Sequence, residues 1–202
     1  MAAAIILAGG QSRRSGRRHK ACLHLSGERR SWIDRQVDIL RQAGFAPVLV
    51  VTGHRPRRVL ACLHRRVERR HNFQAGRGPF STLQVGLHHP SDHGLVVPVD
   101  TILPPVPWLR RLRRIAHARN IAAVSPIDRW GSGGHPLMVS QCWSQSLCAV
   151  PVDAADARLD RQLGYLSAAE HIRLPWNHFL RYSRLNTRRE WCSARHKLRS
   201  IL

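Results

Sequence analysis

Lysine is almost missing from this chain. Of 33 basic residues only two, Lys20 and Lys197, are lysines, and arginine supplies the rest. Acidic residues are also scarce, 12 in 202 positions, which leaves a formal charge of +21. So one-sided a charge names a polyanion as one class of partner. Two further features argue against nucleic acid. Aromatic residues make up only 6% of the chain, whereas single-strand binders interleave basic and stacking side chains. The arginines are also spread along the whole length instead of forming a tract, so a general arginine bias accounts for the charge better.

The five cysteines form no CxxC pair, and no Cys/His spacing matches a zinc finger despite 13 histidines. Such an odd, scattered set predicts reduced thiols in a cytoplasmic protein. No apolar run approaches membrane-spanning length, which excludes a membrane helix. The apolar start, residues 1–8, is short, lacks a charged flank and stops at Gly9-Gly10. It therefore reads as a first core strand and not as a signal peptide. With 43% hydrophobic residues over 202 positions, the composition suits one globular domain spanning 1–202.

Residues 3–8 are continuously apolar, the pattern of a strand buried on both faces. Residues 31–44 predict a helix: Ser31 can cap it, Ile33, Val37 and Leu40 share a face, and Gly44 ends it. Residues 47–52 predict a second strand, 57–64 a basic helix, 67–71 a third strand and 79–88 a helix. Residues 94–98 predict a strand that delivers Asp100 at its carboxyl end. A basic helix over 108–118 and a strand over 121–125 follow, then a glycine-rich turn entering a strand over 130–140. Beyond residue 150 the pattern weakens, with a last helix over 187–195. Alternating strands and helices predict an α/β fold, a three-layer sandwich around a mostly parallel, Rossmann-like sheet. In such sheets ligands sit beyond the carboxyl ends of the strands. The glycine loop after the first strand, Gly53 after the second and Asp100 after the fourth all fall on that edge.

The loop over 9–20 carries the strongest chemical signal. Glycines let backbone N–H groups approach phosphate oxygens closely, and Arg13, Arg14 and Lys20 add charge where phosphoryl groups must be held. The run Leu7-Ala8-Gly9-Gly10-Gln11-Ser12-Arg13-Arg14-Ser15-Gly16, closed by Lys20, resembles the signature loop of MobA/MocA-like nucleotidyltransferases. Further blocks resemble the same family in the same order. They are Asn72 ahead of Gly76, Gly78, Ser81, Leu83 and Gly86-Leu87; Val97-Pro98-Val99-Asp100; Gly134-His135-Pro136; and Leu185-Asn186-Thr187-Arg188-Arg189-Glu190. Ser15 stands where the family usually has methionine, Ile102 where it has proline, and Arg188 where it has proline.

The resemblance implies the nucleotide-diphospho-sugar transferase type of fold. It implies transfer of a nucleotidyl group from GTP or CTP to a phosphorylated acceptor, with molybdopterin or its metal-loaded form as that acceptor and a molybdoenzyme or maturation factor as partner. Carried over residue by residue, Leu7, Ala8 and Gly9 would meet base and ribose. Gly10, Ser12, Arg14 and Lys20 would hold the triphosphate, and Asn72 and Ser81 would complete the nucleotide site. Asp100, with Asn186, would hold Mg2+, and Arg14, Lys20 and Asp100 form the catalytic set. His135 is expected to be structural or to face substrate. Three readings compete with this one: a sugar or polyol phosphate as acceptor, a degenerate fold acting as a non-catalytic binding or maturation factor, and an RNA-binding protein.

Overall fold

A computed structural model describes residues 2–12, 19–25, 27–89, 92–117, 121–176 and 191–192. β1 (Ala2–Ala8) divides its side chains by parity, as a strand must. Ala2, Ala4, Ile6 and Ala8 enter one apolar cluster, and Ile5 enters another. β2 (Val48–Thr52) and β4 (His93–Pro98) do the same: Val48, Val50, Leu95 and Val97 face the first cluster, and Leu49, Val51 and Val96 the second. Continuous apolar runs are therefore read by helices from both sides.

The first cluster is closed by α1 (Trp32–Gln42), α2 (Pro56–Ala61) and α4 (Val106–Ala116). The Ser31 side chain accepts the Asp34 N–H at 3.2 Å and starts α1 as expected. Ile33, Val37 and Leu40 are fully buried on its inner face. The second cluster is closed by α3 (Pro79–Leu87) and α5 (Gln141–Ala149), with α6 (Leu159–Gly164) packed at its margin. This is the three-layer sandwich the sequence predicts. Charge is divided unevenly between the layers. α2 and α4 carry Arg57, Arg58, Arg110, Arg111, Arg113 and Arg114, whereas α3 and α5 carry no charged residue. Part of this charge is structural: Arg110 donates to the Gln42 carbonyl at 2.8 Å and Arg113 to the Gly44 carbonyl, closing the carboxyl end of α1.

With β3 (Glu68–His71), β5 (Ala123–Ile127), β6 (Leu137–Ser140) and β7 (His171–Pro175), the seven strands lie in the order β3-β2-β1-β4-β6-β5-β7. The register sets Ile6 between Val50 and Val97. Four pairings are parallel, while β6 runs antiparallel to both β4 and β5. The chain leaves β1 toward β2 and β3, then returns across β1 to β4. The β1/β4 boundary is thus the switch point at which such sheets open a crevice.

One expectation is corrected. The sequence pattern predicts only free thiols, yet Cys22 and Cys62 are joined, with Cα atoms 5.3 Å apart. Cys142, Cys148 and Cys192 are free. The weak region beyond residue 150 holds α6 and β7, and residues 141–149 just before it form α5. The expected last helix over 187–195 lies outside the described residues except at 191–192, which are helical. No helix among the described residues is long and apolar enough to cross a membrane.

Candidate active site

Beyond the carboxyl ends of β1, β2 and β4 lies a cleft of about 980 Å³. Its wall includes Leu7, Gly9, Gly10, Ser12, Lys20 and Asp100, all expected at the nucleotide, together with Gln11, His19, His54, Gly76, Gly78, Thr82 and His135. Glycines bring main chain into one side of it, at Gly9, Gly10, Gly76 and Gly78. A Cβ on Gly9 would stand 2.7 Å from Thr82 Oγ1. One on Gly53 would stand 2.7 Å from Ala75 Cβ and 2.8 Å from the Gly9 carbonyl oxygen. Real Cβ atoms do not come so close, so the ends of β1 and β2 and the start of α3 meet only because both positions are glycine. The His54 N–H closes the junction by donating to the Gly9 carbonyl at 3.0 Å.

His19 fixes the far end of the glycine loop, a role the sequence did not suggest. Its Nδ1 accepts the Ala21 N–H at 3.2 Å, which leaves Nε2 to donate to the Gly10 carbonyl at 3.2 Å. Burial holds its pKa below the ordinary value, against the pull of the Gly10 carbonyl, and Lys20, Arg55 and Arg58 push it further down. The neutral ring thereby ties the two ends of the loop together. Next to it Lys20 Nζ lies 2.9 Å from Asp100 Oδ2, an ion pair between positions 80 residues apart. The Lys20 side chain is 12% exposed and that of Asp100 32%, so the carboxylate is the more open to the cleft.

The backbone around Asp100 is held from several directions. Val99 N–H donates to the Leu7 carbonyl at 3.0 Å, and Thr101 N–H to the Pro98 carbonyl at 2.9 Å. From α1, Trp32 Nε1 donates to the Val99 carbonyl at 2.7 Å and Gln36 Nε2 to the Thr101 carbonyl at 2.9 Å. The carbonyls on either side of Asp100 are therefore clamped by one helix. Trp32 and Gln36 look like ordinary helix residues in the sequence, and their partners 67 and 65 positions away leave no local signal.

Asn72, Ser81 and Ala8 stand behind the wall. Asn72 is 3% exposed and spends both amide hydrogens on Ser81 Oγ and Thr82 Oγ1, at 2.9 and 3.0 Å, while its Oδ1 accepts the Gln74 N–H. Ser81, also 3% exposed, donates toward the Gln74 and Gly78 carbonyls. Together they hold the turn over 74–78 against the start of α3, whose glycines do reach the cleft. Ala8 is fully buried. Arg14 and Asn186 lie outside the described residues.

His135 occupies the wall beyond Asp100. Burial pushes its pKa down to about 4, against the opposing pull of the Val96 backbone and the Asp100 carboxylate, so the ring is neutral at pH 7. The cleft thus offers glycine main chain, Lys20 and Asp100, with Arg77, Arg158 and Asp160 also in its wall. Beyond Asp100 it offers a neutral imidazole. This is a distribution suited to holding a polyphosphate and aligning a second group against it.

Residues 4–169 match the MobA-like NTP transferase domain. A probable molybdenum cofactor guanylyltransferase of Opitutus terrae is 35% identical over 130 residues, 62% of this chain and 61% of the relative. The chain thus spans about three fifths of the length of that relative. A nucleotidyl transferase from Methanothermobacter superposes with a TM-score of 0.79 at 21% identity, covering 99% of both chains. A Mycobacterium tuberculosis protein solved in complex with manganese superposes at 0.72 and 17% identity, over 96% of this chain and 97% of the other. These structural likenesses establish the nucleotidyltransferase fold. The matched domain spans most of the chain and includes the glycine loop, Lys20 and Asp100, and on that ground the chain belongs to the MobA-like NTP transferase family.

Proposed function

We propose that this protein transfers a guanylyl group from GTP to the phosphate of a molybdopterin-type acceptor and releases pyrophosphate. One observation carries the reading: a lysine from the glycine loop and a carboxylate from the end of β4 meet at 2.9 Å in the switch-point cleft. The name of the Opitutus relative favours GTP as donor.

In the reaction an acceptor phosphate oxygen forms a bond to the α-phosphorus while the bond from that phosphorus to the bridging oxygen breaks. The leaving pyrophosphate carries that electron pair away. The nucleophile is already ionised at neutral pH, so no general base is required. Charge stabilisation and alignment do the remaining work. Main-chain N–H groups of the glycine loop would bind the triphosphate. Lys20 would leave its pairing with Asp100 and neutralise charge that builds on the pyrophosphate. Trp32 and Gln36 would hold Asp100 in place throughout.

A divalent cation fits this donor set. Magnesium keeps several waters and needs only one or two protein carboxylates when substrate phosphates supply further oxygens, and Asp100 offers one carboxylate on the cleft wall. The mycobacterial neighbour, solved with manganese, supports a divalent ion in this fold. When bound, the ion supplies electrophilic charge at the phosphate oxygens.

The test is thermal stabilisation by each of the four ribonucleoside triphosphates with magnesium, with Asp100→Ala in parallel. GTP is expected to raise the melting temperature of the wild type by several degrees and that of the variant hardly at all. A selective response to CTP would reassign the donor. A flat response to all four would overturn nucleotidyl transfer.

A further inference from the structure

Lys20 begins a single helical turn, Lys20–Cys22, that ends on a cysteine. That cysteine is bonded to Cys62, the residue that closes the carboxyl end of α2. The lysine of the cleft wall therefore stands two residues from a covalent link to another element. Nucleotidyl transfer makes no use of that link. Other holds on the turn are non-covalent. They include the Ala21 N–H donating to His19 Nδ1 at 3.2 Å, the Lys20 N–H donating to Ser12 Oγ at 3.5 Å, and the ion pair of Lys20 with Asp100.

Both oxidation states have a place here. The two Cα atoms, 5.3 Å apart, lie within the ordinary range for a disulfide. As thiols the same residues would find acceptors in the last turn of α2. Cys22 Sγ lies 3.0 Å from the Arg58 carbonyl oxygen, and Cys62 Sγ 3.2 Å from that of Val59. Both cysteines are half-buried, so neither is sealed in the core. Positive charge gathers at this end of the loop: Lys20, Arg55 and Arg58 all push down the pKa of His19, three residues before Cys22. Charge of that sign favours thiolates, and thiolates carry exchange. At Cys148, by contrast, burial pushes the thiol pKa up.

We propose that Cys22 and Cys62 form a reversible thiol–disulfide site, opened by a dithiol and closed by the corresponding disulfide, that sets how firmly Lys20 is held at the cleft. In opening, a reagent thiolate bonds to one cysteine sulfur as the S–S bond breaks, and the other cysteine leaves as a thiolate. The second reagent thiol then closes a ring on the mixed disulfide and frees the first cysteine. The reagent loses two electrons and two protons, and each cysteine gains one of each. Closed, the site fixes the turn that carries Lys20 beside Asp100. Opened, it leaves the turn to its non-covalent holds, and the lysine becomes more accessible. The effect on Lys20 stands by itself, whereas any effect on GTP rests on the transfer reading.

The test equilibrates the intact protein in stepped ratios of reduced to oxidised dithiothreitol and counts thiols by alkylation and mass spectrometry. Thiols at positions 22 and 62 should appear together and reversibly, while tryptophan fluorescence stays that of the folded protein. Lys20 is then acetylated with an N-hydroxysuccinimide ester, after desalting without air, and scored by peptide mass. With only two lysines in the chain the assignment is direct. Lys20 should react about fivefold faster in the reduced protein than in the oxidised one, and Cys62→Ser should show the faster rate at every ratio. Apparent affinity for GTP with magnesium, read from melting temperatures, should be about three- to fivefold weaker in the reduced protein and in Cys62→Ser. A bond that closes at no ratio, or opens only as the protein unfolds, would overturn the site. Equal Lys20 rates in the two states would overturn it as well. A Lys20 rate that follows the bond in a protein that no nucleotide stabilises would keep the site and overturn the transfer reading instead.

Discussion

The two sides of the β1/β4 crevice are built differently. On the β1/β2 side glycines bring main chain into the cleft, and the clearances at Gly9 and Gly53, against the start of α3 and Ala75, are too small for a side chain at either position. Beyond Asp100 a side chain carries the surface, with His135 in the wall. The difference suits the two proposed ligands. Triphosphate is the same in every nucleotide, and fixed N–H groups recognise it without reference to what else is bound. An acceptor has to be distinguished from other phosphates, and shape-specific side chains do that. The sheet reflects the same division, since β3, β2 and β1 on one side are all parallel, whereas on the other β6 runs antiparallel to β4 and β5.

Three changes would break or sharpen this contrast. The largest effect is expected at Lys20, the cation that meets Asp100 on the main-chain side. Lys20→Ala should lower kcat by about 10²–10³-fold in a pyrophosphate-release assay while acceptor binding is retained. An equal loss of acceptor affinity would show that the two sides are not separable. Next comes Gly53→Ala, whose Cβ has no room against Ala75 and the Gly9 carbonyl. It should destabilise the fold by about 1–3 kcal/mol in urea titration and weaken GTP before it weakens the acceptor. A variant of unchanged stability and GTP affinity would refute the close-packed account.

The smallest effect is spread over pH. Burial lowers the pKa of His19, His93, His135 and His171 alike. For His135 the native value of about 4 lies below the ordinary 6.5. Between those values the unfolded chain binds the proton and the native one does not. Stability is therefore full above pH 6.5 and declines as pH falls toward 4, by at most about 1.4 kcal/mol per pH unit for each such group. Urea midpoints across this range should fall with acidification, and His135→Gln should flatten the slope. An unchanged slope in that variant would remove His135 from the account.

The legible and illegible parts of the sequence divide along chemical lines. Ser31 at a helix start, the apolar run of β1, the glycine loop and Asp100 at a strand end are local patterns, and the structure puts each where its pattern implies. Trp32 and Gln36 act on carbonyls more than 60 residues away, so nothing near them in sequence reveals the contact. Asn72 and Ser81 were placed by pattern at the nucleotide, but a sequence does not show that their hydrogen bonds are already spent inside the turn. β7 escaped because an edge strand of sequence HIRLP buries only Leu174 fully. α6 is too short, at six residues, to show a period.

The bond between Cys22 and Cys62 has a consequence for the oxidised chain when it is unfolded. It closes a loop across 40 residues that contains α1, β2 and α2. A cross-link of that span removes configurational freedom from the unfolded ensemble worth about 4 kcal/mol in the chain-entropy account. The ring it makes begins two residues after Lys20 and encloses Trp32 and Gln36, which hold the backbone on either side of Asp100. Both charges of the ion pair are thus referenced to one closed covalent circuit, and in the oxidised chain the path of 80 residues between them is shortened by that cross-link.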